Sequence, residues 1–163
     1  MNKQHLFKKG DSLPMSNKKI IPTQERLILA LDVEYVEKAK KIVSELGSMV
    51  NFYKLGLQLF MAGGYFELLE WLRVQKKNVF VDLKFFDVPQ TVKSAVAQLR
   101  HRDAQFVSVH GNDAILEAAV ESRGDSLKVL SVTVLTSLDQ KDIDDLGFKC
   151  NVKELVLSRA KRA

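Results

Sequence analysis

Short apolar runs recur along the chain about every 25 residues, and a helical pattern follows each of them. The five runs begin near residues 27, 52, 79, 105 and 129. They are rich in β-branched and aromatic side chains, which is typical of buried strands. Because continuous apolar strands that alternate with helices are typical of a parallel sheet covered by helices, the sequence predicts an α/β fold.

Glycine, proline and the apolar spacing predict the limits of these elements. Gly47 is placed to end the first helix, and Pro89 is placed to begin the helix after the third strand. Residues 139–147 form a polar loop with helical potential. We expect strands over residues 27–32, 51–56, from 79, 105–110 and 127–136, and helices over residues 36–46, 57–72, from 89, from about 115, and 152–162.

Residues 1–26 lack this regular pattern. They contain Gly10, Pro14, Pro22 and several lysines, and their apolar side chains do not recur at the spacing of a helix or a strand. Such a segment does not bury enough apolar surface to order itself. We therefore expect a flexible N-terminal extension over residues 1–26 and one folded domain over residues 27–163.

Polar side chains end most of the predicted strands. This pattern helps to distinguish an open, doubly wound parallel sheet from a closed β/α barrel. No Gly-x-Gly-x-x-Gly follows the first strand, so the dinucleotide-binding fingerprint of an open sheet is absent. One reactive side chain per strand end, converging on one rim, is typical of a (β/α)8 barrel of the TIM type. The sequence supplies five β/α units and the start of a sixth, so we expect a truncated barrel. The strand-end residues are Asp32, Lys54, Asp82, Lys84, His110 and Thr136.

The third strand carries the densest group of charges. Asp82, Lys84 and Asp87 follow the apolar run that starts at Val79. Side chains two apart on a strand point the same way, so Asp82 and Lys84 share a face. Charges in this position are costly to desolvate unless they pair, and a structural ion pair is one interpretation. Three charges at the end of one buried strand favour a functional site.

Four blocks of sequence carry a family resemblance. They are Leu29–Asp32, Tyr53–Gly56, Asp82–Thr91 and Val132–Ser137. In this order they resemble the orotidine 5′-phosphate decarboxylase family, from about residue 27 to the C-terminus. The central Asp-Leu-Lys-Phe-x-Asp-x-Pro-x-Thr motif is highly specific. The resemblance implies a β/α-barrel homodimer that removes CO2 from orotidine 5′-phosphate to give uridine 5′-phosphate in pyrimidine biosynthesis, without a cofactor or a metal.

The resemblance also implies the catalytic roles. Lys84 is expected to donate the proton to the pyrimidine carbon that loses the carboxylate, and Asp82 is expected to lie against that carboxylate. Lys54 and Asp87 are expected to complete an alternating array of lysines and aspartates. The fixed ammonium beside the reacting carbon would stabilise the charge that develops there.

Three further positions are assigned to substrate binding by the same resemblance. Asp32 is expected to bind the ribose, and Thr136 to lie at the pyrimidine. Thr91 is expected to reach, with Asp87, into the site of a partner subunit. From the residues alone, Asp32 is also a candidate helix N-cap, although this is the less favoured interpretation, and Thr136 is also a candidate turn residue. His110 points to the same rim, and the resemblance gives it no clear role.

Two alternatives remain open at this point. A Mg²⁺-dependent sugar-phosphate decarboxylase or aldolase of the same superfamily shares Asp-x-Lys-x-x-Asp, although it lacks the Asp-Val-Pro-x-Thr continuation. A truncated, inactive fragment is the other, because the resemblance implies that the substrate phosphate is held by loops beyond Ala163. Phe86 and Gln90 stand where many relatives have His and Asn, and neither replaces a catalytic charge.

Composition and charge indicate which binding partners and which cellular compartment to expect. The net charge of +5 is concentrated in residues 1–26 and in the last five residues, and the body between them is slightly acidic. Without a basic stripe interleaved with aromatic residues, we expect no nucleic-acid partner. No apolar run is long enough to span a membrane, and no secretory signal is evident. The single cysteine, Cys150, fits a reducing compartment, and we expect a cytoplasmic protein.

Overall fold

Five parallel strands form the sheet in the computed structural model, which describes residues 20–163. The strands lie side by side in the order of the sequence, and every neighbouring pair is parallel. A doubly wound sheet would instead reverse its strand order at a switch point. The observed order is that of consecutive units in a β/α barrel, as predicted. The strands are β1 Leu29–Ala30, β2 Phe52–Gly56, β3 Asn78–Phe85, β4 Phe106–His110 and β5 Lys128–Val132.

Seven α-helices connect or follow these strands in residues 20–163. Their bounds are α1 Val36–Leu46, α2 Leu57–Met61, α3 Tyr65–Val74, α4 Pro89–Ala97, α5 Asp113–Ser122, α6 Gln140–Asp145 and α7 Val152–Arg162. None of the helices in the described part of the chain is long and apolar enough to cross a membrane.

The core lies between the sheet and the helices that cover it. Leu55 of β2 and Val81 of β3 are fully buried, as are Leu68 of α3 and Val96 of α4. Burial of a leucine side chain contributes about 1.5–3 kcal/mol, so these contacts are the main source of stability for the sheet. The same packing fixes the strand ends, where the polar side chains lie.

Local signals set several helix limits as predicted. Gly47 follows α1 with a φ of 50°, a left-handed conformation that suits glycine. Pro89 occupies the first turn of α4, where its missing N–H costs no hydrogen bond. Residues 139–147 do form a helix, α6, because Asp139 and Asp142 cap its first turn reciprocally.

Three predicted elements differ from the structure. The first strand is only two residues long, and Leu27 is exposed, because β1 is at the sheet edge and pairs with β2 alone among the described residues. The helix predicted over residues 57–72 is two helices, because Gly63 and Gly64 adopt φ values of 82° and 69° between them. The fifth strand ends at Val132, and Thr136 lies in the loop beyond it.

The predicted N-terminal extension is only partly within the described residues. Residues 1–19 lie outside them. Residues 20–26 contain one 3₁₀ turn, Thr23–Glu25, and Arg26 Nε donates to the carbonyl of Ile21 at 3.0 Å. The division at residue 26 stays a prediction.

Candidate active site

The register of the first three strands brings four charged side chains together at one edge of the sheet. Ala30 of β1 pairs with Lys54 of β2, and Gly56 of β2 pairs with Asp82 of β3. Asp32 follows β1 by two residues. Because neighbouring strands lie about 4.8 Å apart, charges at these register positions are within contact distance of each other.

The four charges alternate in sign across the three strands. Lys54 Nζ lies 3.0 and 3.2 Å from the two carboxylate oxygens of Asp32 and 3.7 Å from Asp82 Oδ2. Lys84 Nζ donates to Asp82 Oδ1 at 2.9 Å. We call Asp32, Lys54, Asp82 and Lys84 the charge array. The structure therefore joins all four residues that were predicted to meet at this rim from strands one to three.

The side chains of the charge array differ in how far they are exposed to solvent. The Asp82 side chain is 12% exposed and Lys54 is 21% exposed, whereas Lys84 is 42% exposed. The array faces a cleft of about 460 Å³, so its inner members are held by their neighbours while Lys84 is open to a ligand. The cleft is lined by Asp32, Lys54, Gly56, Leu57, Asp82, Leu83, Lys84, His110 and Leu135.

Gly56 makes room for the first ion pair of the array. A Cβ atom at this position would lie 3.3 Å from Asp32 Oδ1 and 3.7 Å from Lys54 Nζ. The first of these distances is shorter than nine in ten real contacts of a Cβ atom. The absence of a side chain at Gly56 therefore lets Lys54 and Asp32 approach across the end of β2.

Lys84 occupies an unusual backbone conformation. The pairing of β3 with β4 shifts register between Val81 and Phe85, which is a β-bulge, and Lys84 within it has a φ of 48°. Residues other than glycine, asparagine and aspartate adopt this conformation rarely, and such strain clusters at functional sites. Simple strand alternation predicted that Asp82 and Lys84 would share a face, and the two side chains do meet, within the irregular segment of β3.

Ser108 of β4 is a member of this site that the sequence analysis did not identify. Its side chain is buried, and its hydroxyl donates to Asp82 Oδ1 at 2.8 Å. The Ser108 Oγ atom also accepts the backbone N–H of Lys84 at 2.9 Å. The available signal was a serine in the middle of an apolar strand, Phe106–His110.

Opposing effects act on the Asp82 carboxyl. Burial works to raise its pKa, but hydrogen bonds from Lys84 and Ser108, with the charges of Lys84 and Lys54, together hold that pKa below its usual value. The carboxylate form is therefore the stable one at neutral pH, and Asp82 is a fixed negative charge between two lysines.

Comparisons with known proteins decide the family of this chain. A sequence model described as orotidine 5′-phosphate decarboxylase / HUMPS family matches residues 25–163. The chain belongs to this family. Named orotidine 5′-phosphate decarboxylases from Methylococcus capsulatus and Nitrobacter winogradskyi are 60% and 48% identical to it, over 91% and 86% of this chain.

The same relatives set the extent of the match. The chain spans 61% of the length of the Methylococcus protein and 58% of the Nitrobacter protein. The crystal structure of orotidine 5′-phosphate decarboxylase from Lactobacillus acidophilus is 31% identical, with a TM-score of 0.77, over 83% of this chain and 65% of that one. This likeness confirms the predicted barrel-type α/β fold.

Three residues with roles implied by the family resemblance lie apart from the charge array. Asp87 is exposed, and its carboxylate accepts the backbone N–H of Val88 at 2.7 Å. Thr91 is exposed in the first turn of α4, and Thr136 is exposed in the loop after β5, where Leu135 lines the cleft instead. Their roles stay predictions.

His110 lies between the cleft and a second, mainly apolar cavity of about 430 Å³. Its ring packs against Phe86 with the ring centroids 5.5 Å apart. Burial lowers the pKa of His110, and the positive charges of Arg159 and Lys84 lower it further. The neutral imidazole is thus favoured, which fits a packing role beside the site.

Proposed function

We propose that this chain decarboxylates orotidine 5′-phosphate to uridine 5′-phosphate, with Lys84 as the proton donor and with no metal or cofactor. The observation that carries the proposal is the charge array, in which Lys84 projects into a cleft beside a fixed carboxylate. The named relatives favour this reaction over the Mg²⁺-dependent sugar-phosphate chemistry that the motif alone left open.

The geometry of Lys84 suits the chemistry of this step. When the bond between the pyrimidine ring and its carboxylate breaks, CO2 leaves and an electron pair remains on the ring carbon. An ammonium group placed beside that carbon stabilises the developing charge and then transfers a proton to it. Lys84 has one oxygen partner among residues 20–163, Asp82 Oδ1, and so its other N–H bonds are available to the substrate.

The remaining members of the array fix this lysine and orient the substrate. Lys54 contacts both Asp32 and Asp82, and thus it holds the two carboxylates in place. As a carboxylate beside Lys84, Asp82 would repel a substrate carboxylate bound next to that lysine, and relief of this repulsion as CO2 departs would favour the reaction. Asp32 is 58% exposed at the rim, where its oxygens are accessible to the hydroxyl groups of a ribose.

The assembly proposed with this function is a cytoplasmic homodimer in which Asp87 and Thr91 reach the partner's site. Both side chains are exposed. Phe86, next to Asp87 in the chain, is 69% exposed, and Met61 of α2 is 75% exposed. A second copy covering these side chains would bury that surface and add the partner's Asp87 to the two carboxylates of each array.

The test is the loss of orotidine 5′-phosphate absorbance, with and without EDTA, in the unmodified chain and in a Lys84→Ala variant. Lys93→Ala is the matched control, because Lys93 also lies 2.9 Å from a carboxylate and is 44% exposed, but is on the surface of α4. We expect turnover in EDTA that disappears only in Lys84→Ala. Turnover retained in that variant, or abolished by EDTA, would contradict the proposed mechanism.

A further inference from the structure

Ser108 holds two parts of the charge array at once. Its hydroxyl hydrogen is directed at Asp82 Oδ1, 2.8 Å away, and its oxygen accepts the backbone N–H of Lys84 at 2.9 Å. Ser108 is 2% exposed, and thus water does not compete for either bond. Only a hydroxyl or a comparable donor–acceptor group makes both contacts from one atom.

The contact with Lys84 is required by the β-bulge. The register shift between Val81 and Phe85 leaves the Lys84 N–H without a partner in the β4 backbone ladder, and the Ser108 side chain supplies the acceptor. A lysine with a φ of 48° persists only where the surroundings stabilise that conformation. Ser108 is thus the group across the strand that stabilises the backbone from which the Lys84 side chain projects.

The contact with Asp82 acts on the charge next to Lys84. Asp82 Oδ1 accepts from both Ser108 and Lys84, so the same oxygen atom joins the serine to the ammonium group. A bond to Ser108 directs that oxygen and limits rotation of the carboxylate. The position of the ammonium relative to the cleft therefore depends on Ser108 through two routes, the carboxylate and the backbone.

We propose that Ser108 is a positioning residue, whose single hydroxyl fixes the Asp82 carboxylate and the strained Lys84 backbone in the arrangement that presents the Lys84 ammonium to the cleft. This role rests on the proposed function where it concerns turnover. Where it concerns the geometry of Asp82 and Lys84, it does not depend on which reaction the cleft performs.

The variants are Ser108→Ala, which removes the hydroxyl, and Ser108→Thr, which keeps it on a side chain suited to a strand. Ser122→Ala is the matched control. Ser122 is also 2% exposed, but its hydroxyl bonds to the carbonyls of Ala118 and Ala119 within α5. The first measurement is the pH titration of the Asp82 carboxyl carbon by NMR in the unmodified chain and in all three variants.

We expect the Asp82 pKa to rise in Ser108→Ala and to stay close to that of the unmodified chain in Ser108→Thr and Ser122→Ala. Where the chain turns over orotidine 5′-phosphate, kcat in Ser108→Ala should fall by about tenfold to a hundredfold, with little change in KM. A rise in the Asp82 pKa of equal size in Ser122→Ala, or no rise in Ser108→Ala, would show that Ser108 is only a packing residue.

A measurement on the unmodified chain covers the case in which Ser108→Ala does not fold. The Lys84 amide should exchange with deuterium slowly, since its hydrogen bond goes to a buried hydroxyl. Exchange at the rate of an exposed loop amide would overturn the proposal. Because neither the titration nor the exchange requires turnover, an inactive chain that passes both would contradict the proposed function and leave the role of Ser108 supported.

Discussion

Asp82 links the stability of the fold to the candidate site, and two substitutions separate its contributions. Asp82→Ala removes the acceptor for the buried Ser108 hydroxyl, which costs about 1–3 kcal/mol. It also removes the pair with the partly exposed Lys84, which adds about 0.5–1 kcal/mol. The contact with Lys54 adds little, because it is 3.7 Å long and Lys54 keeps Asp32. Relief of carboxylate burial offsets part of this loss, so we expect a net loss of about 1–3 kcal/mol.

Asp82→Asn is the informative comparison. Its side-chain carbonyl still accepts from Ser108 and Lys84, so the free energy of unfolding should fall by less than about 1 kcal/mol. Urea denaturation of the unmodified chain and both variants measures these differences. If Asp82→Asn destabilised the chain as much as Asp82→Ala, the negative charge rather than the hydrogen bonds would dominate, and the reasoning given for Asp82 would be refuted.

The pH dependence of unfolding in the same variants checks the direction of the Asp82 pKa shift. Because the folded pKa of Asp82 is lowered, the carboxylate contributes stability above its unfolded pKa of about 3.9, and this contribution is lost as the pH falls through the folded value. The stability that the unmodified chain gains over Asp82→Asn from the charge should therefore shrink in acid. A difference that grew as the pH fell below about 4 would contradict the lowered pKa.

Two further predictions concern neighbours of the charge array. Gly56→Ala should change the free energy of unfolding by less than about 1 kcal/mol, because the φ of Gly56 is −100° and the crowded Asp32 side chain can move. Because the added methyl group displaces Asp32, the same variant should raise the KM for orotidine 5′-phosphate. An unchanged KM would argue against a binding role for Asp32. His110 has a lowered folded pKa, so the unfolded chain binds more protons below about pH 6.5 and stability falls as the pH drops through that window. Urea denaturation at about pH 8 and pH 5 measures this loss of stability, which should be smaller in His110→Gln than in the unmodified chain. A loss of equal size in both would show that groups other than His110 cause it.

Much of the architecture was predictable because local and long-range signals agree. The helix ended by Gly47 and the helix begun by Pro89 were both predicted, since backbone requirements restrict those positions. The meeting of Asp32, Lys54 and Asp82 followed from a general property of parallel sheets, whose carboxyl-terminal strand ends share one edge.

The features that were not predicted depend on pairing between strands. Nothing in the sequence around Lys84 indicates a φ of 48°, because lysine has no preference for that conformation and the bulge arises from the register of β3 against β4. Ser108 was missed for the same reason, since its partners lie 24 and 26 residues away. The break at Gly63 and Gly64 was visible as two adjacent glycines and was misinterpreted as part of one helix.

The contacts within the charge array bear on the proposal that Lys84, rather than Lys54, transfers the proton. Lys54 donates to both oxygens of Asp32 and lies 3.7 Å from one oxygen of Asp82, so three carboxylate oxygens surround its ammonium group. Within residues 20–163, Lys84 contacts one carboxylate oxygen and is twice as exposed as Lys54. An ammonium group surrounded by carboxylates fixes them in place, whereas an ammonium group with a single carboxylate contact is better able to bind and protonate a ligand. The proposed division of roles between the two lysines therefore rests on how many carboxylate oxygens each one contacts.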